Sequence, residues 1–222
     1  MDQEIKISFP LYKIIYSVFS VVILSIIRGI TMTNEIGIAM EAPLAMLAAV
    51  FCADTYVQEI TSRRAEVQRL CPMKKRILSI AKRMAVQEIF LFLLAAAGYG
   101  LFIFFQRPMR FYEMQEGGSG EIHAFLIYLA AIAVTLVFWG MLSHTVSCVF
   151  GNVWAGIGTS LILWIVTDSS IGERYLGAWN LFSYTFRKEG MDMSWICGKM
   201  LCIFLVMMMA VLLPKLLSHC RK

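Results

Sequence analysis

Residues 122–143 read IHAFLIYLAAIAVTLVFWGMLS, and this run of 22 residues without an Asp, Glu, Lys or Arg decides the fold class. A helix needs about 20 mostly apolar residues to cross the hydrocarbon core of a bilayer. A soluble amphipathic helix would break such a run with a polar face, and a membrane β-strand would alternate apolar with polar positions. Neither pattern occurs here. Outward from this stretch, segments 11–27, 36–53, 84–106, 148–167 and 194–213 are also long and mostly apolar, none with more than one Asp, Glu, Lys or Arg. The expectation is an all-α polytopic membrane protein with six transmembrane helices, forming a single domain over residues 1–222.

The composition agrees. Of the 222 residues 59% are hydrophobic and 16% charged, with a mean hydropathy of +0.70, whereas a soluble domain is about 45–50% apolar and about 25% charged. Disordered, collagen-like and disulfide-scaffold classes are thereby excluded. Cys52, Cys148, Cys197 and Cys202 lie in or beside apolar runs, Cys71 in a basic loop and Cys220 in the tail, so free thiols are expected. Residues 1–10 carry two acids and no basic n-region, and no small-residue cleavage site follows the first apolar run. A cleaved signal peptide is therefore not expected.

The net charge of +5 is first of all a topology signal. Segment 54–83 holds eight Lys and Arg, and Lys6, Lys13, Lys215, Arg221 and Lys222 fall on the same side of a six-span arrangement. Arg28, Arg107, Arg110, Arg174, Arg187, Lys188 and Lys199 fall on the other. Positive residues are retained in the cytoplasm, which predicts a multi-pass protein of the cell membrane with both termini cytoplasmic. The outer loops are then 28–35, 107–121 and 168–193. His144 and Ser147 are expected to mark a tight turn between the fourth and fifth spans.

Several chemistries are missing. A phosphate-cradling loop would end in Gly-Lys-Ser/Thr, but the nearest glycine spacing, Gly172 to Gly177, runs into Ala178 and Trp179. His123, His144 and His219 lack the spacing of a zinc protease. Gly118-Ser119-Gly120 falls in an acidic turn rather than inside a span. Met191, Met193 and the Met207–Met209 run could suit Cu(I) beside Cys197 and Cys202, yet the fifteen methionines are spread along the chain and fit apolar packing better. No metal site is assigned. Gly151, Ala155 and Thr159 recur one helical turn apart, a small face for internal packing or a subunit interface.

Ionisable residues within spans carry a functional suspicion. Three stand out: Arg28 at the outer end of the first span, Glu41 just inside the second, and Glu88 just inside the third. One reading is an interfacial ion pair of Arg28 with Glu35 or Glu41 and a snorkelling Glu88. The other places them along a substrate path.

The most informative loop is 54–83, DTYVQEITSRRAEVQRLCPMKKRILSIAKR. Its first part suits a short helix with a narrow apolar stripe of Ile60, Val67 and Leu70. Pro72 suits the first turn of a new helix. Beyond it, Ile77, Ile80, Ala81 and Met84 form one face while Lys75, Arg76, Lys82 and Arg83 lie elsewhere. This second helix is expected to rest on the anionic inner leaflet before the chain turns into the third span.

Glu59, Thr61, Leu70, Pro72, the basic run Lys74–Arg76 and Lys82 together resemble the cytoplasmic loop of ABC-2-type permeases, the membrane subunits of ABC exporters. The six-span count, the inner termini and the long outer loop before the last span are similar to that family as well. Arg63 departs from the small residue common there, Leu70-Cys71-Pro72 is one residue tighter, and the family's amphipathic helix before the first span has only residues 1–10 to form it.

The resemblance implies a coupling helix between the second and third spans, carried by Glu59, Ile60, Arg63, Arg64, Glu66, Val67, Leu70 and Pro72 and seated on a separate ABC ATPase subunit. It implies that ATP and Mg2+ bind that partner and that this chain holds no cofactor and is not itself an enzyme. A second permease chain, the same or paralogous, would complete the path for a peptide, antibiotic or lipid-like cargo moved by alternating access. Contacts are then with lipid and protein, not nucleic acid. The substrate-binding membrane subunit of a vitamin importer and a polytopic membrane enzyme remain as alternatives.

Overall fold

The computed structural model describes residues 9–55, 57, 73–109, 119–186 and 194–219. Seven α-helices make up the described residues: α1 (Leu11–Ile27), α2 (Glu35–Cys52), α3 (Met73–Gln106), α4 (Ser119–Phe150), α5 (Val153–Asp168), the short α6 (Ser170–Leu176) and α7 (Trp195–His219). A 3-10 turn, Gly177–Trp179, follows α6. Glu35–Cys52, Ile77–Gln106, Glu121–Phe150 and Trp195–Pro214 are each long and apolar enough to cross a bilayer. The α5–α6 pair, bent by 72°, makes a fifth candidate, and α1 is a shorter apolar helix of 17 residues. The chain is a multi-pass, all-helical membrane protein.

The bundle has two ends. At one, called here the basic end, Lys13 of α1 meets Asp54 just beyond α2, and α3 begins with Lys75 and Lys82 exposed. At the far end the Gln106 side chain closes the α1–α2 hairpin: Nε2 donates to the carbonyls of Ser25 and Arg28, both at 2.7 Å, and Oε1 accepts from the Ile30 N–H at 2.8 Å. Met109 extends this junction, donating to the Thr31 carbonyl at 2.9 Å and accepting from the Thr33 N–H at 3.1 Å.

In α1 packing inverts the pattern of a soluble helix. The buried residues are Lys13, Ser17, Val21 and Ser25, spaced by four, whereas Leu11, Ile15, Phe19 and Ile27 are exposed. Lipid tails are as apolar as leucine, so a membrane helix gains nothing by hiding leucine from them. What draws it to its neighbours is close packing and polar contact. At the other extreme α2 has 13 of its 18 residues buried and packs against α1, α3, α4 and α5. Its Pro43 lacks the N–H that would meet the Ala39 carbonyl, so the helix ladder is weakened two residues beyond Glu41.

Three expectations are corrected here. The helix containing His144 and Ser147 does not turn there. It runs on to Phe150 and stops at Gly151, whose φ of 62° a side chain would disfavour; Asn152 then caps α5, its Oδ1 accepting from the Trp154 N–H at 2.9 Å. The segment from Met73 to Arg83 is not a separate surface helix but the first three turns of α3, with Ile80 and Met84 buried against Cys148 and Leu213. Finally, the small face of α5 is rotated from the one expected: Gly151 lies in the turn and Thr159 is exposed, while Gly156 and Ser160 face inward. A Cβ at Gly156 would run into the Ser147 hydroxyl and the Ser143 carbonyl, which is why α4 and α5 can approach so closely.

Candidate functional site

The segment after α6, expected as an outer loop, folds back into the bundle. Asn180, Leu181, Phe182, Ser183 and Tyr184 are all buried. Asn180 starts the descent: Nδ2 donates to the Thr167 carbonyl at 2.9 Å, and Oδ1 accepts from the Phe182 N–H at 3.0 Å, an Asx turn. Phe182 stacks on Trp139 with ring centroids 5.5 Å apart and planes 16° from parallel. Ser183 donates to the Trp195 carbonyl at 2.7 Å. Two glycines make room. A Cβ at Gly37 would meet the Tyr184 hydroxyl at 2.6 Å, and one at Gly198 would strike the Asn180 carbonyl.

Beneath this re-entrant segment lies the chemical centre of the bundle. Glu41 of α2 is fully buried and pairs with Lys199 of α7, itself 3% exposed. The Lys199 ammonium has three donors, and each has an acceptor: Glu41 Oε1, Thr135 Oγ1 at 2.7 Å and the Leu181 carbonyl at 3.0 Å. The carboxylate is equally satisfied. Oε1 also lies 3.0 Å from the Thr135 hydroxyl, and Oε2 accepts from Thr185 at 2.6 Å. Thr135 has one proton and two acceptors, Glu41 and the Ala131 carbonyl one turn back, both at 3.0 Å, so its proton is shared between them.

The network therefore joins α2, α4, α7 and the re-entrant segment through one ion pair. Two charges in a medium of low dielectric are costly unless every donor and acceptor is met, and here they are. As it stands, the ion pair and its hydroxyl partners hold four segments of the chain together. A cavity of about 430 Å³ opens beside the re-entrant segment, lined by Ser170, Glu173, Arg174, Ser183, Phe186 and Ser194 among others. Ser183 and Phe186, on its wall, flank Thr185 in the chain.

A second ion pair marks the basic end. Lys13 pairs with Asp54, donates to the Phe51 carbonyl at 2.8 Å and sits 5.0 Å from the centroid of the Phe51 ring. A cation at the last turn of α2 is where the helix dipole favours it.

The expected polar residues divide. Glu41 has its counter-charge 158 residues away rather than in Arg28, which is exposed at the end of α1. Glu35 accepts instead from the Thr31 and Met32 backbone, at 2.7 and 3.3 Å. Glu88 is half-buried: its Oε1 is turned inward, 3.1 Å from where a Cβ of Gly140 would stand, and the residue also borders a groove. Lys199, counted among the outer-side cations, is the residue the sequence reading missed. Its signal was a single Lys inside the apolar run 194–213. Glu59, Ile60, Arg63, Arg64, Glu66, Val67, Leu70 and Pro72 all lie outside the described residues. Comparison of the chain with protein-family models, curated proteins and solved structures finds no match.

Proposed function

We propose that this chain is the membrane-spanning subunit of an ATP-driven exporter of the cell membrane, with six crossings and both termini cytoplasmic. It works with a separate ABC ATPase and a second permease chain to move a peptide, antibiotic or lipid-like cargo. The observation that supports this reading best is α3. It is one uninterrupted helix of 34 residues, about 51 Å long at 1.5 Å per residue, against a hydrocarbon core of about 30 Å. Its basic start, which follows residues 58–72 in sequence, therefore has length to project beyond the bilayer, while Gln106 at its other end grips the α1–α2 hairpin.

A push on the charged segment is carried by a rigid rod to the far end of the bundle, which is the mechanical requirement of alternating access. The Glu41–Lys199 latch ties together the helices that such a movement would separate.

The test is affinity purification of the tagged chain from its native membranes, followed by assay of the eluate for Mg-ATP hydrolysis. Wild-type chain should bring down an ATPase. Glu59→Lys and Glu66→Lys should lose it, because an unmatched charge against a fitted protein surface costs several kcal/mol or about that order, while expression is kept. In the same variants Ser170→Cys should react with an impermeant thiol reagent from outside, and Ser62→Cys only after permeabilisation. Co-purified ATPase activity indifferent to both charge reversals, or ATP hydrolysis by the isolated chain itself, would overturn the exporter reading.

A further inference from the structure

One polar stripe is left over by the exporter reading. Gly140, Ser143, His144 and Ser147 occupy positions i, i+3, i+4 and i+7 of α4 and so share one face. That face is turned wholly inward: Ser143, His144 and Ser147 are each 0% exposed. Opposite it stand Cys52 at the end of α2, Glu88 of α3, and Gly156 and Ser160 of α5. A Cβ at Gly140 would lie 3.1 Å from both the Cys52 sulfur and Glu88 Oε1, which fixes the carboxyl against this face.

Most of the polar atoms here are unmatched, in contrast to those around Lys199. Glu88 Oε1, Ser143 Oγ, Ser147 Oγ and Ser160 Oγ are all buried without a hydrogen-bond partner, whereas the His144 ring lies between the Cys52 backbone and the Cys148 sulfur. Among the described residues no cation pairs with Glu88. The groups that titrate around it are Cys52 on α2 and His144 on α4, with Cys148 one turn beyond His144 and 3.5 Å from its Nε2. Lys13 on α1 is occupied by Asp54 and the Phe51 carbonyl. Arg83, on the same helix as Glu88, stands more than a turn away and has contacts of its own. On its other side Glu88 borders a groove of about 220 Å³ between α3 and α4, lined otherwise by Ala85, Ile89, Phe92, Ala133, Leu136 and Val137. Nothing in that lining could stabilise an anion.

We propose that Glu88 is a proton-binding site: it carries a proton in this conformation and exchanges it along the Ser143–His144–Ser147 stripe with water at the basic end. A carboxylate without counter-charge or donor in an apolar setting takes up a proton instead of remaining charged. The step is simple in its balance. One carboxylate accepts one proton from water at the membrane face, and returns it when the helices around it rearrange. The buried hydroxyls need partners in any case, and internal water is what supplies them where the chain does not. His144 can accept at one ring nitrogen while donating at the other, as a relay requires. The site goes beyond the exporter reading and stands whether or not an ATPase partner is found.

The experiment uses the full chain in lipid nanodiscs at neutral pH. Its infrared spectrum should contain the carbonyl stretch of a protonated carboxylic acid. Glu88→Gln, which mimics the neutral side chain, should remove that band, and Glu88→Asp should displace it. A spectrum that neither substitution changes would overturn the proton site. Hydroxyl-radical footprinting of the same sample tests the route. His144 and Cys148 should be oxidised, while Phe102, equally buried in the dry part of the core, should stay protected. Protection of His144 equal to that of Phe102 would overturn the water path.

Discussion

Two buried polar regions share this bundle and are built on opposite rules. Around Lys199 every donor and acceptor of the ion pair is met, by side chains and one backbone carbonyl from four segments. Along the Ser143–Ser147 face of α4 a comparable number of polar atoms is buried and unmatched by protein. The first arrangement is rigid because each group is held by several others, and removing one strands the rest. The second tolerates change, since a neutral carboxyl and bridging water can be replaced piecemeal. Burial alone thus does not say what a polar residue does in a membrane protein. Whether its partners are all present does.

The sharpest way to break this contrast is Lys199→Met. It leaves Glu41 buried without a counter-charge, which should cost about 3–5 kcal/mol, read as a fall in the unfolding midpoint of the chain in mixed micelles. Adding Glu41→Gln should restore a large part of that loss, because both charges are then gone. Equal midpoints for Lys199→Met and wild type would show that no latch exists.

Next in size come the close approaches. Gly198→Ala and Gly156→Ala each force a methyl group into a backbone carbonyl, Asn180 and Ser143 respectively, and overpacking of this kind costs about 1–3 kcal/mol. Gly100→Ala, where nothing lies within 4 Å, is the matched control and should leave the midpoint unchanged.

Lys13→Met should be milder than Lys199→Met. The Asp54 side chain is 18% exposed against 0% for Glu41, so water can take over part of the lost contact, and a loss of about 1.5 kcal/mol is expected from the hydrogen bonds to a charged group. The smallest effect is that of Glu88→Gln, whose midpoint should match wild type. A loss as large as that of Lys199→Met would mean that Glu88 is an ionised member of a second latch.

Much of the fold was legible because span length and hydropathy are one-dimensional properties. The apolar runs 36–53 and 84–106 became α2 and the greater part of α3 with ends displaced by only a few residues or extended. What failed was everything that depends on rotation about a helix axis. Depth along the span suggested Arg28 or Glu35 as company for Glu41; the partner of Glu41 was decided by which face of α2 meets α7. His144 and Ser147 were taken for a turn because polar residues at the end of an apolar run normally reach water. Here Gly156 lets α5 come close enough to bury them. Asn180–Tyr184 were read as outer loop since the segment is too short and too mixed to span, and nothing local announces a chain that re-enters the bundle and stops.

The ion pair between the second and the last of these helices also has a consequence for biogenesis. Helices enter the membrane in the order of their synthesis, so Glu41 arrives early and Lys199 more than 150 residues later. In the interval α2 carries an acid whose counter-charge has not yet been made. Until α7 is inserted the Glu41 side chain lacks its counter-charge, a mark by which membrane quality control could recognise a chain whose α7 has yet to arrive. The same latch that ties these helices together would serve, during assembly, as the sign that α7 has taken its place.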